Sequence, residues 1–273
     1  MNNPAVHIMV DAHVHIHEHF QLDRLFLICL QNFRKALNQY QIYTPFDAFL
    51  LLTESAGVNQ FERLVKMIET ENDDRDFTVS ATKESSTVCI TTGGGQHLYV
   101  VAGKQIVTSE KLEVLALGYH DNYPDGRSLS YVLEDLNTSR CLRVLPWGAG
   151  KWLGRRGQII ESLISSWNND QLFLGDNGNR PSFWPLPGLF GQAYKKNIHN
   201  LPGSDPLPFT GQEKKVGSFG FFLRGHVEHE KPFGSLINQV TSAADPVITF
   251  GAPESFTPFV KNQISMQIVK RCR

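Results

Sequence analysis

Four histidines alternate with other residues in segment 11–19, which reads Asp-Ala-His-Val-His-Ile-His-Glu-His. The five residues before it, 6–10, form a short apolar run that predicts a buried strand. Because side chains alternate along a strand, His13, His15 and His17 should point the same way. Two neighbouring imidazoles can reach one divalent metal ion. The alternative is a histidine-rich turn whose imidazoles only form hydrogen bonds.

A second candidate functional segment, residues 146–157, joins a predicted strand to a predicted helix. It reads Pro-Trp-Gly-Ala-Gly-Lys-Trp-Leu-Gly-Arg-Arg-Gly. Its glycines allow a tight turn with exposed amides, and the following helix N-terminus favours an anion. Lys151, Arg155 and Arg156 add positive charge and the bidentate geometry of guanidinium groups. The segment predicts a site for a carboxylate or phosphate; a structural loop whose arginines pair with nearby carboxylates is the alternative.

The elements that position these residues follow from the spacing of apolar side chains. Residues 22–38 carry them at the spacing of an amphipathic helix. Residues 47–54 combine a continuous apolar run with polar residues at its end, as expected of a parallel strand buried on both faces. Further helices are predicted at 61–70, 128–136, 156–167, 190–197, 212–223 and 231–243. Further strands or strand ends are predicted at 77–81, 87–91, 97–102, 104–108, 112–118, 142–146, 171–175, 201–205, 247–250 and 263–269.

Repeated strand-then-helix order, with polar residues at strand ends, is the pattern of a TIM-like β/α barrel. No linker, internal repeat or low-complexity stretch divides the sequence, so we expect one α/β domain over residues 1–273. In such a barrel the carboxyl ends of the strands face one mouth. The residues expected there are Asp11, His13, His15, Glu54, Glu113, Lys151, Asp176 and Asp205. Imidazole and carboxylate ligands together suit a divalent metal that activates water.

Composition and net charge limit the classes of partner and the cellular compartment that we expect for this chain. The chain has 273 residues and a formal net charge of -1, which gives no sign of nucleic acid or a membrane surface as a partner. Its four cysteines form no Cys-x-x-Cys pair, which favours a reducing compartment and argues against a thiolate zinc site. No signal peptide or membrane-spanning run is apparent. We expect a soluble, cytoplasmic protein with a small anionic substrate; the oligomeric state stays open.

The motifs resemble those of one known superfamily. Asp-Ala-His-Val-His at 11–15 resembles the opening motif of the PHP (polymerase and histidinol phosphatase) family. Residues 103–118 are similar to that family's Gly-x-Glu-Ile segment and the His-bearing strand after it. Gly-Ser-Asp-Pro-Leu at 203–207 resembles its late Gly-Ser-Asp-Ala-His. The resemblance implies a distorted, seven-stranded (β/α)7 barrel with metals at its mouth. It also implies hydrolysis of phosphoesters, or of amides as in the related amidohydrolase barrels.

On the matching positions, His13, His15 and Asp205 carry over as candidate metal ligands. Other positions depart from the family pattern. Gln105 stands where the family has a bridging glutamate, and Glu113 stands where it has a histidine. Position 207 is leucine instead of the final histidine. These departures argue against a full trinuclear site and leave one or two ions.

Two hypotheses follow. The first is a hydrolase that depends on zinc, manganese or iron and acts on an anionic substrate, with a phosphoester favoured over an amide. Glu113 and Asp176 would complete the metal ligands, Asp176 or Asp205 would act as base, and Lys151 would stabilise developing charge. Lys151, Arg155 and Arg156 would bind the substrate. The second is a catalytically degenerate barrel that binds or regulates through the same cleft.

Overall fold

The computed structural model describes residues 6–69, 75–167, 171–242 and 247–271. Mostly apolar runs of three to nine residues form its strands. In chain order these are β1 (Val6–Val14), β2 (Phe46–Leu52), β3 (Phe77–Ala81), β4 (Thr87–Thr92), β5 (His97–Val101), β6 (Gly103–Val107), β7 (Glu113–Leu117), β8 (Leu142–Pro146), β9 (Leu172–Gly175), β10 (Gly220–Gly225) and β11 (Ile248–Phe250).

The helices carry their apolar residues on the face turned to the sheets. In the first helix the predicted stripe, from Leu22 through Phe26 and Phe33 to Leu37, is buried. The α-helices are α1 (Leu22–Gln39), α2 (Gln60–Lys66), α3 (Leu129–Asp135), α4 (Arg155–Ser166), α5 (Gly188–Tyr194), α6 (Pro232–Ser242) and α7 (Phe256–Arg271). Across the described residues, none of these helices is long and apolar enough to cross a membrane.

The strands form two sheets. The larger has the order β11-β10-β1-β2-β5-β4-β3, and the smaller has the order β6-β7-β8-β9. Only β1/β2, β2/β5 and β8/β9 are parallel pairs. The prediction of a (β/α)7 TIM-like barrel is therefore wrong: the described residues form a mixed α/β fold without a closed barrel. Short hairpins, such as the Gly-Gly-Gly turn between β4 and β5, force antiparallel pairing, whereas a β/α barrel needs helical crossovers between parallel strands.

The two sheets meet along backbone hydrogen bonds outside the regular strands. On one side, the backbone N–H of Glu54 after β2 donates to Gly103, and that of Gln105 donates to Glu54, each at 2.9 Å. On the other side, segment 200–205 runs beside β9, with a bridge between Asn177 and Gly203. These contacts bring the carboxyl ends of β1, β2 and β9 to one place.

Apolar side chains fill the spaces on both sides of each sheet. One buried cluster lies between α1 and the larger sheet and includes Phe26 and Phe33. A second lies between the two sheets and under α6, where Phe49 and Phe173 are buried. A third packs α3, α4 and α5 on the outer face of the smaller sheet. The site residues at the strand ends are therefore held by a continuous, close-packed support.

The last third of the chain differs from its predicted elements. Residues 212–223 were predicted to be helical, but only Gln212–Lys215 forms a 3-10 helix, and the segment then continues into β10. Pairing with β1 decides this, since a Cβ atom on Gly220 would lie 2.1 Å from the Val10 carbonyl oxygen. The strand predicted at 247–250 is confirmed as β11.

The segment 263–269 alternates polar and apolar residues, which predicted a strand, yet it lies within α7. Gln263, Met266 and Gln267 all line the same cavity. Their spacing of three and four residues is that of one helix face. The segment therefore presents one helix face to the cavity, which its alternating sequence pattern did not indicate.

Candidate metal centre

The end of β1 places two histidines side by side. His13 is buried and His15 is half-buried. Their Nε2 atoms lie 3.2 Å apart. The pairing of β1 with β2 shifts in register between Asp11 and Val14, the stretch that contains His13. The prediction that these imidazoles point the same way agrees with the arrangement of the two rings.

Asp205 completes a three-residue group. Its Oδ1 atom lies 3.6 Å from Nε2 of His13 and 3.5 Å from Nε2 of His15. Asp205 has φ of 48°, a left-handed conformation that aspartate adopts more readily than most residues. Asn177 Nδ2 donates to Asp205 Oδ2 at 2.5 Å, and Asn179 Nδ2 donates to the Asp205 backbone oxygen at 2.6 Å. The two asparagines thus hold Oδ1 toward the histidines.

The donor set fits a divalent metal ion. One ligand atom from each of His13, His15 and Asp205 lies within 4.8 Å of the other two, and no other group among the described residues meets this criterion. Two imidazole nitrogens and one carboxylate oxygen suit zinc, manganese or iron(II). A three-residue set also leaves coordination positions for a substrate or solvent.

The ionisation states agree with this fit. Burial and then the neighbouring His13 lower the pKa of His15 to about 3, although Asp205 and Gln105 act in the opposite direction. Burial alone would raise the pKa of Asp205. The charges of His13 and His15 and the hydrogen bond from Asn177 instead hold that pKa well below its usual range. At neutral pH the group therefore offers a neutral His15 imidazole and an ionised carboxylate, the forms that bind metals.

Asp11 lies beneath the group and holds its parts together. Its buried carboxylate accepts the backbone N–H of Ser204 at 2.8 Å, the Ser204 hydroxyl at 2.5 Å and the backbone N–H of Gly217 at 2.8 Å. The backbone N–H of His13 donates to it at 3.3 Å. Burial raises the pKa of Asp11 to about 6, although these hydrogen bonds act to lower it. Asp11 is therefore a clamp between β1 and the segment that carries Asp205.

The close approach of segment 200–205 to β1 requires a glycine at position 203. A Cβ atom on Gly203 would lie 2.2 Å from the backbone nitrogen of His13. The backbone N–H of Asp205, two residues later, donates to the His13 oxygen at 2.8 Å. Glycine lets segment 200–205 reach β1, and this contact sets the separation of His13 and Asp205.

The group opens into a cavity of about 530 Å³. Lys151 and Glu113 line its wall and form an ion pair. Glu54 lines it too, but its carboxylate accepts Lys104 Nζ at 2.7 Å and the Phe61 backbone N–H at 2.7 Å. Glu113 thus faces the cavity but does not belong to the three-residue group.

Two of the predicted anion-binding residues point elsewhere. Arg155 and Arg156 do not line the cavity. Arg155 is exposed at the start of α4, and Arg156 donates to the backbone oxygen of Gly150 at 2.8 Å. Of the predicted positive cluster, Lys151 alone contributes to the cavity wall.

Asp176 lies apart from the cavity lining, in a buried ion pair. Arg180 donates through Nε to its Oδ1 at 2.8 Å and through Nη2 to its Oδ2 at 2.9 Å. Both carboxylate oxygens are therefore engaged by one guanidinium group. The sequence suggested Asp176 as ligand and base, whereas this geometry is that of a structural pair.

Asp176→Asn provides a direct test. We expect it to lower the free energy of unfolding by about 3 kcal/mol, because it leaves the buried Arg180 charge uncompensated. Metal content should not change. Denaturant unfolding and metal analysis measure the two effects, with the exposed Glu161→Gln as a control that should stay within about 0.5 kcal/mol. Lost metal at unchanged stability would instead make Asp176 a ligand.

Several residues of the site were not singled out from the sequence as site residues. Gln105 drew notice only as a departure from the PHP pattern, yet its Oε1 atom lies 3.3 Å from Nε2 of His13. Asn177 and Asn179 occur in the polar loop after β9, where only the neighbouring aspartate stood out. Gln267 reaches the cavity from α7, and no sequence signal connects that helix to the site.

Comparison with known proteins supports the fold. Neither a protein-family model nor a curated protein matches the sequence. Among solved structures, PsfC from Pseudomonas syringae PB-5123 matches over 98% of this chain and 99% of its own, with 13% identity and a TM-score of 0.52. At this identity the match shows a shared fold. The PHP resemblance itself has no confirmation from sequence comparison.

Two structures of Endonuclease Q also match. The lesion-specific endonuclease from Pyrococcus furiosus has 12% identity and a TM-score of 0.49, and a complex with a 27-mer duplex substrate has 11% identity and a TM-score of 0.45. Each covers 89% of this chain, which spans 57% and 58% of those chains. These scores are too low to assign their activity here.

The expectation that excluded nucleic acid nevertheless needs correction. That expectation rested on the net charge of the whole chain. A formal charge of -1 summed over 273 residues says nothing about the charge of the side chains that line one cavity.

Proposed function

We propose that this protein is a metal-dependent hydrolase of phosphoesters. The observation that carries the proposal is the group of His13, His15 and Asp205, whose ligand atoms lie within 4.8 Å of one another in a cavity that Lys151 also lines. Lys151 lies near enough to Asp205 to help hold its pKa down. One cavity thus combines a site for a divalent cation with a positive side chain for an anion.

The chain contributes positioned ligands and a binding charge. A bound zinc, manganese or iron ion supplies a Lewis acid that polarises a phosphoryl oxygen and makes water more acidic. Gln105 lies beside His13, and Asn177 fixes the carboxylate of Asp205, so the ligands are oriented before a metal binds. Lys151 attracts the phosphoryl group and balances its charge.

A proton must leave the attacking water, and Glu113 is placed to accept it. Asp176 is occupied by Arg180, and the low pKa of Asp205 makes it a weak proton acceptor. Glu113 lines the cavity and is paired with Lys151. When Lys151 binds a phosphoryl oxygen, its pairing with Glu113 weakens, and the carboxylate becomes free to contact the water.

The test of this function is turnover on a panel of phosphomonoesters, phosphodiesters and amides with purified protein. We expect phosphoester hydrolysis that a chelator abolishes and that added zinc, manganese or iron(II) restores. Amides should be hydrolysed at least about tenfold more slowly, since their neutral carbonyl gains less from Lys151 than a phosphoryl anion does. Amide turnover above phosphoester turnover would contradict the proposed substrate class.

Lys151→Ala should lower kcat/KM for a phosphoester by about 10²-fold, because a charge-assisted contact to the anion is lost. Arg155→Ala is the matched control: it removes an exposed positive charge of the same loop that does not line the cavity, and kcat/KM should change less than about twofold. Steady-state kinetics with both variants provide the measurement. Equal effects of the two substitutions would overturn the role of Lys151.

A second candidate function is binding without turnover. The ion pair of Lys151 with Glu113 neutralises two charged groups of the cavity wall, and Gln105 is neutral where the PHP family has a bridging glutamate. Such a cavity could retain an anionic ligand without hydrolysing it. Metal-loaded protein that binds a phosphoester but turns over no member of the panel would favour this function.

A further inference from the structure

The last helix forms one wall of the cavity at the candidate metal centre. Gln263, Met266 and Gln267 of α7 line this cavity. Their spacing of three and four residues places the three side chains on one face of the helix. Ile264, although it lies between them in sequence, is 57% exposed and does not line the cavity. A single face of α7 is therefore turned to the candidate metal centre.

Polar contacts fix α7 relative to a candidate metal ligand. Asn262 Nδ2 donates to Glu254 Oε2 at 2.9 Å, and both side chains are buried. The other carboxylate oxygen of Glu254 pairs with Lys215 Nζ at 2.7 Å. Lys215 Nζ also donates to Asn179 Oδ1 at 2.6 Å, and Asn179 donates in turn to the backbone oxygen of Asp205. This continuous network connects the position of the helix to that of Asp205.

A short segment beside α7 extends the same wall. Leu207 and the prolines on either side of it line the cavity. Gln212 connects this segment to the helix, because its Oε1 atom accepts the Leu207 backbone N–H at 3.5 Å and its Nε2 atom donates to Asn262 Oδ1 at 3.4 Å. We call these lining residues the neutral wall: Pro206, Leu207, Pro208, Gln263, Met266 and Gln267. None of their side chains carries a charge.

The charged side chains of the cavity belong to other segments. Glu113 lies at the start of β7 and Lys151 lies in the loop before α4, and the two form an ion pair. In the proposed function the metal and Lys151 hold the phosphoryl group, which leaves the neutral wall without a role. A cavity of about 530 Å³ has the size of sites that enclose a whole organic ligand. An organic group therefore has room to lie against the neutral wall.

We propose that the neutral wall binds the organic group of the phosphoester, and that this group is uncharged, ring-sized and edged with hydrogen-bonding substituents. The inference rests on the proposed phosphoester function. Met266 is half-buried, and its flexible thioether packs well on an aromatic ring. The amides of Gln263 and Gln267 can donate and accept hydrogen bonds but cannot neutralise a charge. A carboxylate placed there would lose its water without gaining a counterion.

Non-hydrolysable phosphonates test the proposal through binding alone. Titration calorimetry with metal-loaded, full-length protein compares methylphosphonate, which has almost no organic group, with benzylphosphonate. We expect benzylphosphonate to bind at least about tenfold more tightly, because its ring leaves water for the neutral wall. 4-Carbamoylbenzylphosphonate should bind at least about fivefold more tightly than 4-carboxybenzylphosphonate, since the wall has no charge to pair with a carboxylate.

Two substitutions in α7 locate the effect. Met266→Ala should weaken benzylphosphonate binding at least about fivefold and leave methylphosphonate binding within about twofold of wild type. Ile264→Ala is the matched control, because it removes an exposed apolar side chain of the same helix that lies outside the cavity lining. Both affinities should stay within about twofold in this control.

A further variant adds a function instead of removing one, so misfolding cannot imitate its result. Gln263→Glu keeps the size of the side chain and adds one negative charge to the neutral wall. Wild type should prefer 4-carbamoylbenzylphosphonate over 4-(aminomethyl)benzylphosphonate, whose ammonium group finds no partner there. Gln263→Glu should reverse this preference, because the new carboxylate attracts the ammonium group.

The proposal is overturned if benzylphosphonate binds wild type no more tightly than methylphosphonate, or if the carboxylate compound binds as tightly as the amide. Equal effects of Met266→Ala and Ile264→Ala, or an unchanged preference in Gln263→Glu, would also overturn it. Methylphosphonate separates this failure from that of the proposed function. If it binds and benzylphosphonate gains nothing, only the neutral wall is misassigned. If neither binds the metal-loaded protein, the phosphoester site and the inference fail together.

Discussion

His13→Ala/His15→Ala should remove about one equivalent of bound metal per chain and reduce phosphoester turnover by more than about 10²-fold. Loss of an outer-shell partner alone typically costs 10–100-fold in affinity or activity, and here two of three ligands are deleted. Elemental analysis after dialysis against metal-free buffer gives the metal content, and initial rates at saturating metal give the activity.

His19→Ala is the matched control, since His19 belongs to the same histidine run but is exposed and outside the three-residue group. It should keep both metal and activity. A double variant that retains its full metal content would refute the assignment of His13 and His15 as ligands. Equal losses of metal and activity in the His19 variant would mean that the histidine run maintains the conformation of the loop and does not bind the metal directly.

Asp11→Ala should destabilise the protein by about 3–5 kcal/mol. The carboxylate accepts four hydrogen bonds from His13, Ser204 and Gly217, and its removal leaves these buried donors unsatisfied at about 1–3 kcal/mol each. Relief of the desolvation of the buried carboxylate offsets part of this cost. Denaturant unfolding in the presence of a chelator measures the effect, because removing the metal separates the loss of the clamp from a loss of metal binding.

The control for this substitution is Asp121→Ala, whose carboxylate side chain is 74% exposed. It should change the free energy of unfolding by no more than about 0.5 kcal/mol. An Asp11 variant within 1 kcal/mol of wild type would contradict the clamp. Metal affinity should also fall in that variant, since His13 and Asp205 would no longer be held in register.

Local sequence patterns correctly predicted the helices and strands whose apolar residues recur at one regular spacing. The stripe from Leu22 to Leu37 predicted α1, and the apolar run at 47–52 predicted β2. Patterns failed where distant partners decide conformation. Residues 220–225 became a strand because β1 offers an edge to pair with, and residues 263–269 became helical where α7 meets the cavity.

The strand order could not be read from the order of elements along the chain. Alternation of strands and helices suggested a barrel of parallel strands, although the Gly-Gly-Gly segment at 93–95 predicted a hairpin turn. The structure has an antiparallel β3–β4–β5 unit and an antiparallel β6–β7 pair. The pairing of a strand depends on the free edges that other strands leave, which is information from long-range contacts. The larger architecture, two mixed sheets, therefore appeared only in the structure.

For the candidate site, the sequence by itself determined the ligand types: a His-x-His pair at the end of a buried strand and a late Asp after a Gly-Ser turn. The tertiary structure decided which of the candidate carboxylates, Asp205, Asp176 or Glu113, lies beside the two histidines. Asp205 is brought to His13 by the close backbone approach at Gly203, Asp176 is drawn away by Arg180, and Glu113 is paired with Lys151. The physical reason is that residue chemistry is local, whereas a binding geometry depends on contacts between segments nearly two hundred residues apart.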